Sequence, residues 1–299
     1  SSPDLQAFMD YFHADNDVVF ESFPGQKLIQ LYERFRFFLQ RNSKDQARKN
    51  ISYHYDLGND FYGLWLDESM TYSSAIFETG KESLKQAQAK KYASMIDQMG
   101  VKAGEHVLEI GCGWGGFAEY AAKERGLKVT CLTISEEQFK YAHERIDKAG
   151  LQGMVKFKLQ DYRDETGVYD GIASIEMFEA VGEQYWPEYF STVRDRLKPG
   201  AQATLQIITV QNKNFETYRK SVDFIQKYIF PGGMLPSLNV LGEQVSKAGL
   251  KVEKTIAFGE SYSQTLRQWH DVFNRKWDQV VAMGFDERFR RMWNFYLTS

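Results

Sequence analysis

VLEIGCGWGGF, residues 107–117, reads as a short apolar strand, a glycine-rich turn and the opening of a helix. Gly111, Gly113 and Gly116 satisfy the pattern G-x-G-x-x-G, which on its own marks only a turn where backbone passes close to a ligand. Two neighbours sharpen the reading. Glu109 stands two residues before the first glycine. A carboxylate there suits the cationic amino acid end of S-adenosylmethionine and would repel a pyrophosphate. The next apolar stretch ends in Leu132, Thr133, Ile134 and Ser135, with no acidic residue. A nicotinamide-binding strand offers an Asp or Glu at that place for the ribose. The motif therefore points to a methyl-donor site and away from hydride transfer.

Outward from the motif, short apolar runs alternate with helical patterns. Strands are expected at 106–110, 128–132, 154–159, 170–175, 201–208 and 251–257. Helices are expected at 82–99, where Ala87, Tyr92, Met95, Ile96 and Met99 form a stripe, near 115–125, and from Ser135 to about Ala149. Ser135 with Glu136, Glu137 and Gln138 reads as an N-cap and capping box. Such alternation implies an α/β fold, a Rossmann-like doubly wound sheet that is mostly parallel with helices on both faces.

Composition narrows the class. The 299 residues carry a net charge of -3, which argues against nucleic acid as a partner. Cys112 and Cys131 give no disulfide framework, and the five histidines show no metal-ligand spacing, so no metal is expected. No run is long and apolar enough to span a bilayer, and SSPDLQAFMD lacks the basic start and apolar core of a signal peptide. A cytoplasmic location is expected. Aromatic residues reach 15%, which fits either a densely packed core or an aromatic-lined pocket for a long apolar ligand.

Residues 1–50 read as an appendage, an acidic segment followed by a basic amphipathic helix at 26–50, and residues 51–299 as the main domain. Leu28, Leu31, Tyr32, Phe35, Phe38 and Leu39 recur at helical spacing amid seven basic residues. Such a helix can lie on an anionic membrane surface or pack with its basic face in water. At about 212–238 the alternation breaks into a long aromatic stretch punctuated by Pro231, Gly232, Gly233 and Pro236. It reads as a helical lid or substrate-channel insertion between two strands. The last forty residues are helical and rich in Trp and Phe.

YHYDLGNDFYGLWLDESMTYSSAIFE, VLEIGCGWGG, LTISEEQ, LQDYRD, IEMFEAVG and KYIFPGGMLPS occur in this order. Together they resemble the cyclopropane fatty acid synthase family, which includes the mycolic acid cyclopropane synthases, from about residue 50 onward. The resemblance implies a class I methyltransferase fold, S-adenosylmethionine as cofactor, and action on cis double bonds of acyl chains, usually within membrane phospholipids. It further implies that Tyr72 and Ser73 contact the methionine portion of the cofactor and that Gly111 and Gly113 pass beneath it. Thr133, Ile134, Ser135 and Gln138 would flank the ribose and carboxylate end, and Asp161 and Tyr162 would lie near adenine. Relatives with a bicarbonate-bound site surround that ion with a Cys, a Glu, a His and a Tyr. The Glu matches Glu179 and the Tyr matches Tyr262, but the Cys position is Ser74 and the His position is Gln206. These departures are similar to the plant-type synthases and to bacterial enzymes that methylate oleoyl chains, and they leave bicarbonate open. Relatives also continue beyond FYLTS, so a further stretch is expected after residue 299.

An alkene must be held in line with the donor methyl in a dry pocket, and the cation left on the acyl chain must then lose a proton. Tyr55, Phe61, Trp65, Phe178 and Tyr262 are candidates to face that cation, each with core packing as its plain alternative. Ser74 and Gln206 are candidate donors to an anion, and Glu179 orients that anion or moves a proton. The expected product is a cyclopropane fatty acyl chain, with a methylene- or methyl-branched chain as the alternative. The expected partners are an unsaturated phospholipid acyl chain and an anionic membrane surface at the inner face, with a homodimer left open. A soluble methyl acceptor, or a lipid-binding protein with a decayed site, are the competing readings.

Overall fold

The computed structural model describes residues 57–299 together with Lys44, Gln46 and Ala47. Apart from Lys44, Gln46 and Ala47, the basic helix expected at 26–50 lies outside the described residues, as do the acidic segment before it and Tyr55.

Five strands form one parallel sheet in the order β3-β2-β1-β4-β5. They are β1 His106–Ile110, β2 Lys128–Thr133, β3 Val155–Leu159, β4 Tyr169–Ile175 and β5 Leu197–Gln206. Helices α1 Asn59–Trp65 and α2 Leu84–Met99 precede the sheet. α3 Gly116–Arg125, α4 Glu136–Lys148 and α5 Trp186–Arg196 cross between strands. Beyond β5 come α6 Phe215–Lys220, α7 Leu238–Lys247, α8 Gly259–Arg275, α9 Trp277–Ala282 and α10 Glu287–Thr298. The chain winds one way from β1 to β3 and the other from β4 to β5. The carboxyl ends of β1 and β4 therefore flank the point where the winding reverses, where open α/β sheets hold ligands.

Local chemistry sets these elements. Ser83 and Gln86 close a full capping box at the start of α2, and Gly100 ends it in the left-handed conformation. The inward face of α2 is apolar except for Gln88 and Lys91. Ser135 caps α4 through the Gln138 N–H, but the expected capping box is only half made. The Gln138 side chain instead accepts from the Thr133 hydroxyl at 3.1 Å, turning toward the ligand side.

One expected strand is absent. Residues 251–257 form no ladder, and Val252 and Ile256 stay exposed because no neighbouring strand among the described residues pairs with them. The stretch at 212–238 consequently follows the last strand instead of lying between two. It contains α6 and a wide turn of helix at Ile225–Ile229. Gln226 staples it by donating to the Gly233 carbonyl at 3.0 Å and to the Tyr218 hydroxyl at 3.2 Å.

The aromatic residues are divided between a packed cluster and the wall of a cavity. Phe61, Trp65, Trp269, Phe273 and Trp293 pack a cluster between α1, α8 and α10, mostly edge to face. Each such pair adds about 0.5–1.5 kcal/mol beyond area burial. A second set, including Tyr72, Phe230 and Tyr262, lines a cavity over the strand ends.

Candidate active site

The cavity measures about 560 Å³ and opens over the carboxyl ends of β1, β2 and β4. Its floor is the glycine turn after β1. Gly111 has φ +79°, and a Cβ there would lie 2.5 Å from the Met177 Cγ, so only glycine fits. Gly113 has φ +50°, and a Cβ there would meet nothing within 4 Å. That open space in the cavity wall is room for a ligand against bare backbone.

Most of the expected cofactor residues meet here. Tyr72, Ser73, Glu109, Gly111 and Gly113 line one side. Thr133, Ile134, Gln138, Asp161 and Tyr162 line the other. Ser135 does not; its side chain is spent on the α4 cap. Asp161 already holds the Arg163 guanidinium at 2.7 Å, which together with the Arg163 N–H keeps its carboxyl below the usual range despite burial. Glu109 is fully buried on β1, its nearest donor the weak Cys131 thiol at 3.6 Å, and burial pushes its carboxyl well up. A buried carboxylate with so little help suits a cationic ligand group, which would hold it ionised. The residues present thus fit S-adenosylmethionine.

The expected catalytic residues converge, but on a group that the sequence reading passed over. Glu176 follows β4 with φ +46°, a left-handed conformation unusual for a residue with a side chain. Its Oε1 accepts from the Ser74 backbone N–H at 2.9 Å and from Gln206 Nε2 at 2.7 Å. Its Oε2 accepts from the Tyr262 hydroxyl at 3.3 Å. Ser74 and Gln206 were expected as donors to a separate anion. Both instead hold the Glu176 carboxylate, and Ser74 does so by its backbone, since its hydroxyl donates to the Ala75 carbonyl at 3.0 Å. Gln206 also donates to the Ser74 carbonyl at 3.1 Å. The donors that could hold a bicarbonate ion are engaged by the protein's own carboxylate, so a separate bicarbonate does not fit this arrangement.

Glu179 sits beside it. Its Oε1 accepts from the Ile208 N–H at 2.6 Å, and its buried Oε2 has no partner. Burial, reinforced by the negative charge of Glu176, pushes Glu179 up to about 8. Burial raises both carboxyls, but they differ: Glu176 has three donors that favour its charged form, whereas Glu179 has one and keeps its proton near neutral pH. The Glu179 carbonyl accepts from the Met234 N–H at 2.8 Å, tying this turn to the 212–238 segment. Of the aromatic candidates, Tyr262 lines the cavity, whereas Phe61, Trp65 and Phe178 are buried in packing away from it. Phe230 and Trp269 supply apolar wall that had not been singled out for the site.

The profile of the family described as mycolic acid cyclopropane synthetase matches residues 42–299. The chain belongs to that family. Its sheet order and cofactor turn are those of a class I S-adenosylmethionine methyltransferase. Among similar proteins, the tuberculostearic acid methyltransferase of Mycobacterium tuberculosis is 41% identical over 86% of this chain and 62% of its own length. The cyclopropane-fatty-acyl-phospholipid synthase of Escherichia coli is 39% identical over 82% of this chain and 62% of its own. The chain thus spans about three fifths of the length of these relatives. Among solved structures, a mycolic acid cyclopropane synthase complexed with SAH and CTAB aligns at TM-score 0.78 and 28% identity, covering 84% of this chain and 91% of that one.

Chemically, the site joins a cradle for a cationic cofactor to an aromatic-walled space containing two carboxyls of different proton affinity. A carboxylate held by several donors there can accept a proton.

Proposed function

We propose that the protein transfers a methyl group from S-adenosylmethionine to the cis double bond of an unsaturated fatty acyl chain of a phospholipid. Glu176 then takes the released proton, and the product is a cyclopropane fatty acyl chain. The observation that carries this reading is the Glu176 carboxylate, held by three donors in an aromatic-walled cavity beside the glycine turn.

Tyr72, Ser73, Gly111, Gly113, Thr133, Ile134, Gln138, Asp161 and Tyr162 hold the cofactor, with Glu109 facing its amino group. When bound, the cofactor supplies an electrophilic methyl group. The chain's residues do the rest. Phe230, Trp269 and Tyr262 present aromatic faces to the cation that forms on the acyl chain, each worth about 0.5–2 kcal/mol when desolvated. Tyr262 and Gln206 keep Glu176 fixed and ionised. In the last step a C–H bond breaks, the proton goes to Glu176, and the electron pair forms a C–C bond. If the proton leaves the new methyl group, the pair closes a ring. If it leaves the neighbouring chain carbon, the pair forms a double bond and the product is branched. The similarity to the tuberculostearic acid methyltransferase favours this second outcome as the alternative reading.

Among the described residues no helix is long and apolar enough to cross a membrane. Access to a phospholipid chain then falls to a surface contact, for which the basic stretch at 26–50 is the candidate. The deciding experiment is mass spectrometry of lipids from a host rich in oleoyl phospholipids, with and without the enzyme. A gain of 14 mass units on the acyl chain, with a ring or a branch assigned by NMR, supports the reading. Unchanged lipids together with tight cofactor binding would overturn it.

A further inference from the structure

We propose that Lys91 is a positioning residue that acts on Glu176 from the buried face of α2, by its charge and through the Ser73–Ser74 segment that it holds. The inference rests on the reading of Glu176 as the base. Lys91 lies on the inward face of α2 with none of its surface exposed. Its Nζ donates to the Ser73 hydroxyl at 2.7 Å and sits 5.1 Å from the centroid of the Tyr92 ring. One turn earlier, Gln88 donates to the Ser73 carbonyl at 2.9 Å. α2 thus grips residue 73 at two points, and the next N–H, that of Ser74, is a donor to Glu176.

An apolar side chain would fill this position at far lower cost, because a buried ammonium loses several kcal/mol of hydration. Burial accordingly draws Lys91 down to about 7, and Glu176 is the acidic group that acts most strongly to keep it charged, ahead of Asp67 and Glu109. The reciprocal holds: burial raises the Glu176 carboxyl on balance, and Lys91 is the largest influence opposing that rise. Every titratable neighbour fits that assignment. Glu109 on β1, with Cys131 opposite on β2, is the partner left for a cationic ligand. Glu179, after β4, is held protonated by burial and by the charge of Glu176. Tyr262 on α8 stays a phenol and donates. Asp67 belongs to the loop before α2 and is occupied by Ser69 at 2.8 Å. Glu176 is therefore the carboxylate that the lysine serves.

The test compares Lys91→Met, Lys91→Arg and Glu176→Gln in the full chain, with oleoyl phospholipid vesicles and S-adenosylmethionine. In Lys91→Met the acidic limb of the kcat–pH profile should move up by about one unit, a tenfold loss at a fixed pH below the limb. Turnover should return toward the parental value at alkaline pH, with Kd for S-adenosylhomocysteine unchanged within threefold and Tm equal or higher. Lys91→Arg should keep the limb in place. An unmoved limb in Lys91→Met alongside an inactive Glu176→Gln overturns the role of Lys91 and leaves the base standing. Parental turnover in Glu176→Gln overturns both. A Lys91→Met protein that melts well below the parent makes the lysine a structural strut and likewise overturns the inference.

Discussion

Replacing Glu176 by glycine separates the chemistry of its carboxylate from the shape of the loop that carries it. The backbone there has φ +46°, a conformation that glycine adopts freely and that costs a residue with a Cβ about 1–2 kcal/mol. The substitution therefore relieves strain at the turn. It also leaves the Ser74 N–H, the Gln206 amide and the Tyr262 hydroxyl facing a vacated space, at about 1–3 kcal/mol for each buried donor that water does not reach. A modest fall in Tm is the expected balance, because Lys91, already drawn down to about 7 by burial, can shed its proton once its carboxylate is gone. Turnover should fall by about 10²- to 10⁴-fold, the usual share of a positioned base. The same three donors are then free to hold a small carboxylate or bicarbonate from solution. Added formate or bicarbonate should restore part of the lost rate in a saturable way in Glu176→Gly, and neither should affect the parent in carbonate-depleted buffer. Lipid mass spectrometry under single-turnover conditions reads both effects. Near-parental turnover in Glu176→Gly, or a parent that needs added bicarbonate, would refute the assignment of the base.

Gly113→Ala should weaken S-adenosylhomocysteine binding at least tenfold by calorimetry while lowering stability by only about 1 kcal/mol for the left-handed alanine, since the new Cβ meets no protein atom within 4 Å. Unchanged affinity would remove Gly113 from the cofactor cradle. Glu179 is raised to about 8 in the folded protein, so between about 4.5 and 8 the native state holds a proton that the unfolded chain has lost. Stability should therefore fall as pH rises through that window, by at most about 1.4 kcal/mol per unit for this group. Glu179→Gln should flatten the slope in denaturant titrations, and identical slopes would show that Glu179 is ionised. Arg34, Arg36 and Arg41 changed together to Glu should abolish sedimentation with anionic vesicles; unchanged sedimentation would rule the 26–50 stretch out as the docking surface.

The inner strands β1, β2 and β4 were legible because they are buried on both faces and read as near-continuous apolar runs, whereas β3 and β5 at the edges are only half covered. The run at 251–257 misled for a related reason. KVEKTIA alternates as a strand should, yet alternation speaks only of side-chain direction, and a ladder needs a neighbour with free backbone groups. Helix α2 was found from its apolar stripe, while Lys91 within that stripe went unread. A lysine at helical spacing looks like a solvated face until the fold shows that the face is covered.

The residues proposed for the cofactor cradle were readable one by one because glycine and its flanking acid act through the local chain. The proposed base was not, because its donors are assembled across the fold. Glu176 takes its donors from Ser74, Gln206 and Tyr262, partners that lie 102, 30 and 86 residues away. Glu179, three residues on, carries the more familiar motif and drew the assignment to itself. A signal was nonetheless present: in IASIEMFE an acid ends an apolar strand before another acid. Two carboxyls at the mouth of a parallel sheet cannot both ionise in a dry site, so one of them had to find donors. The departures at Ser74 and Gln206 then belong together with Glu176. On the proposed reading the carboxylate is supplied by the chain, a backbone N–H, a neutral amide and a phenol hold it, and a site that looks depleted beside its bicarbonate-using relatives needs no separate anion.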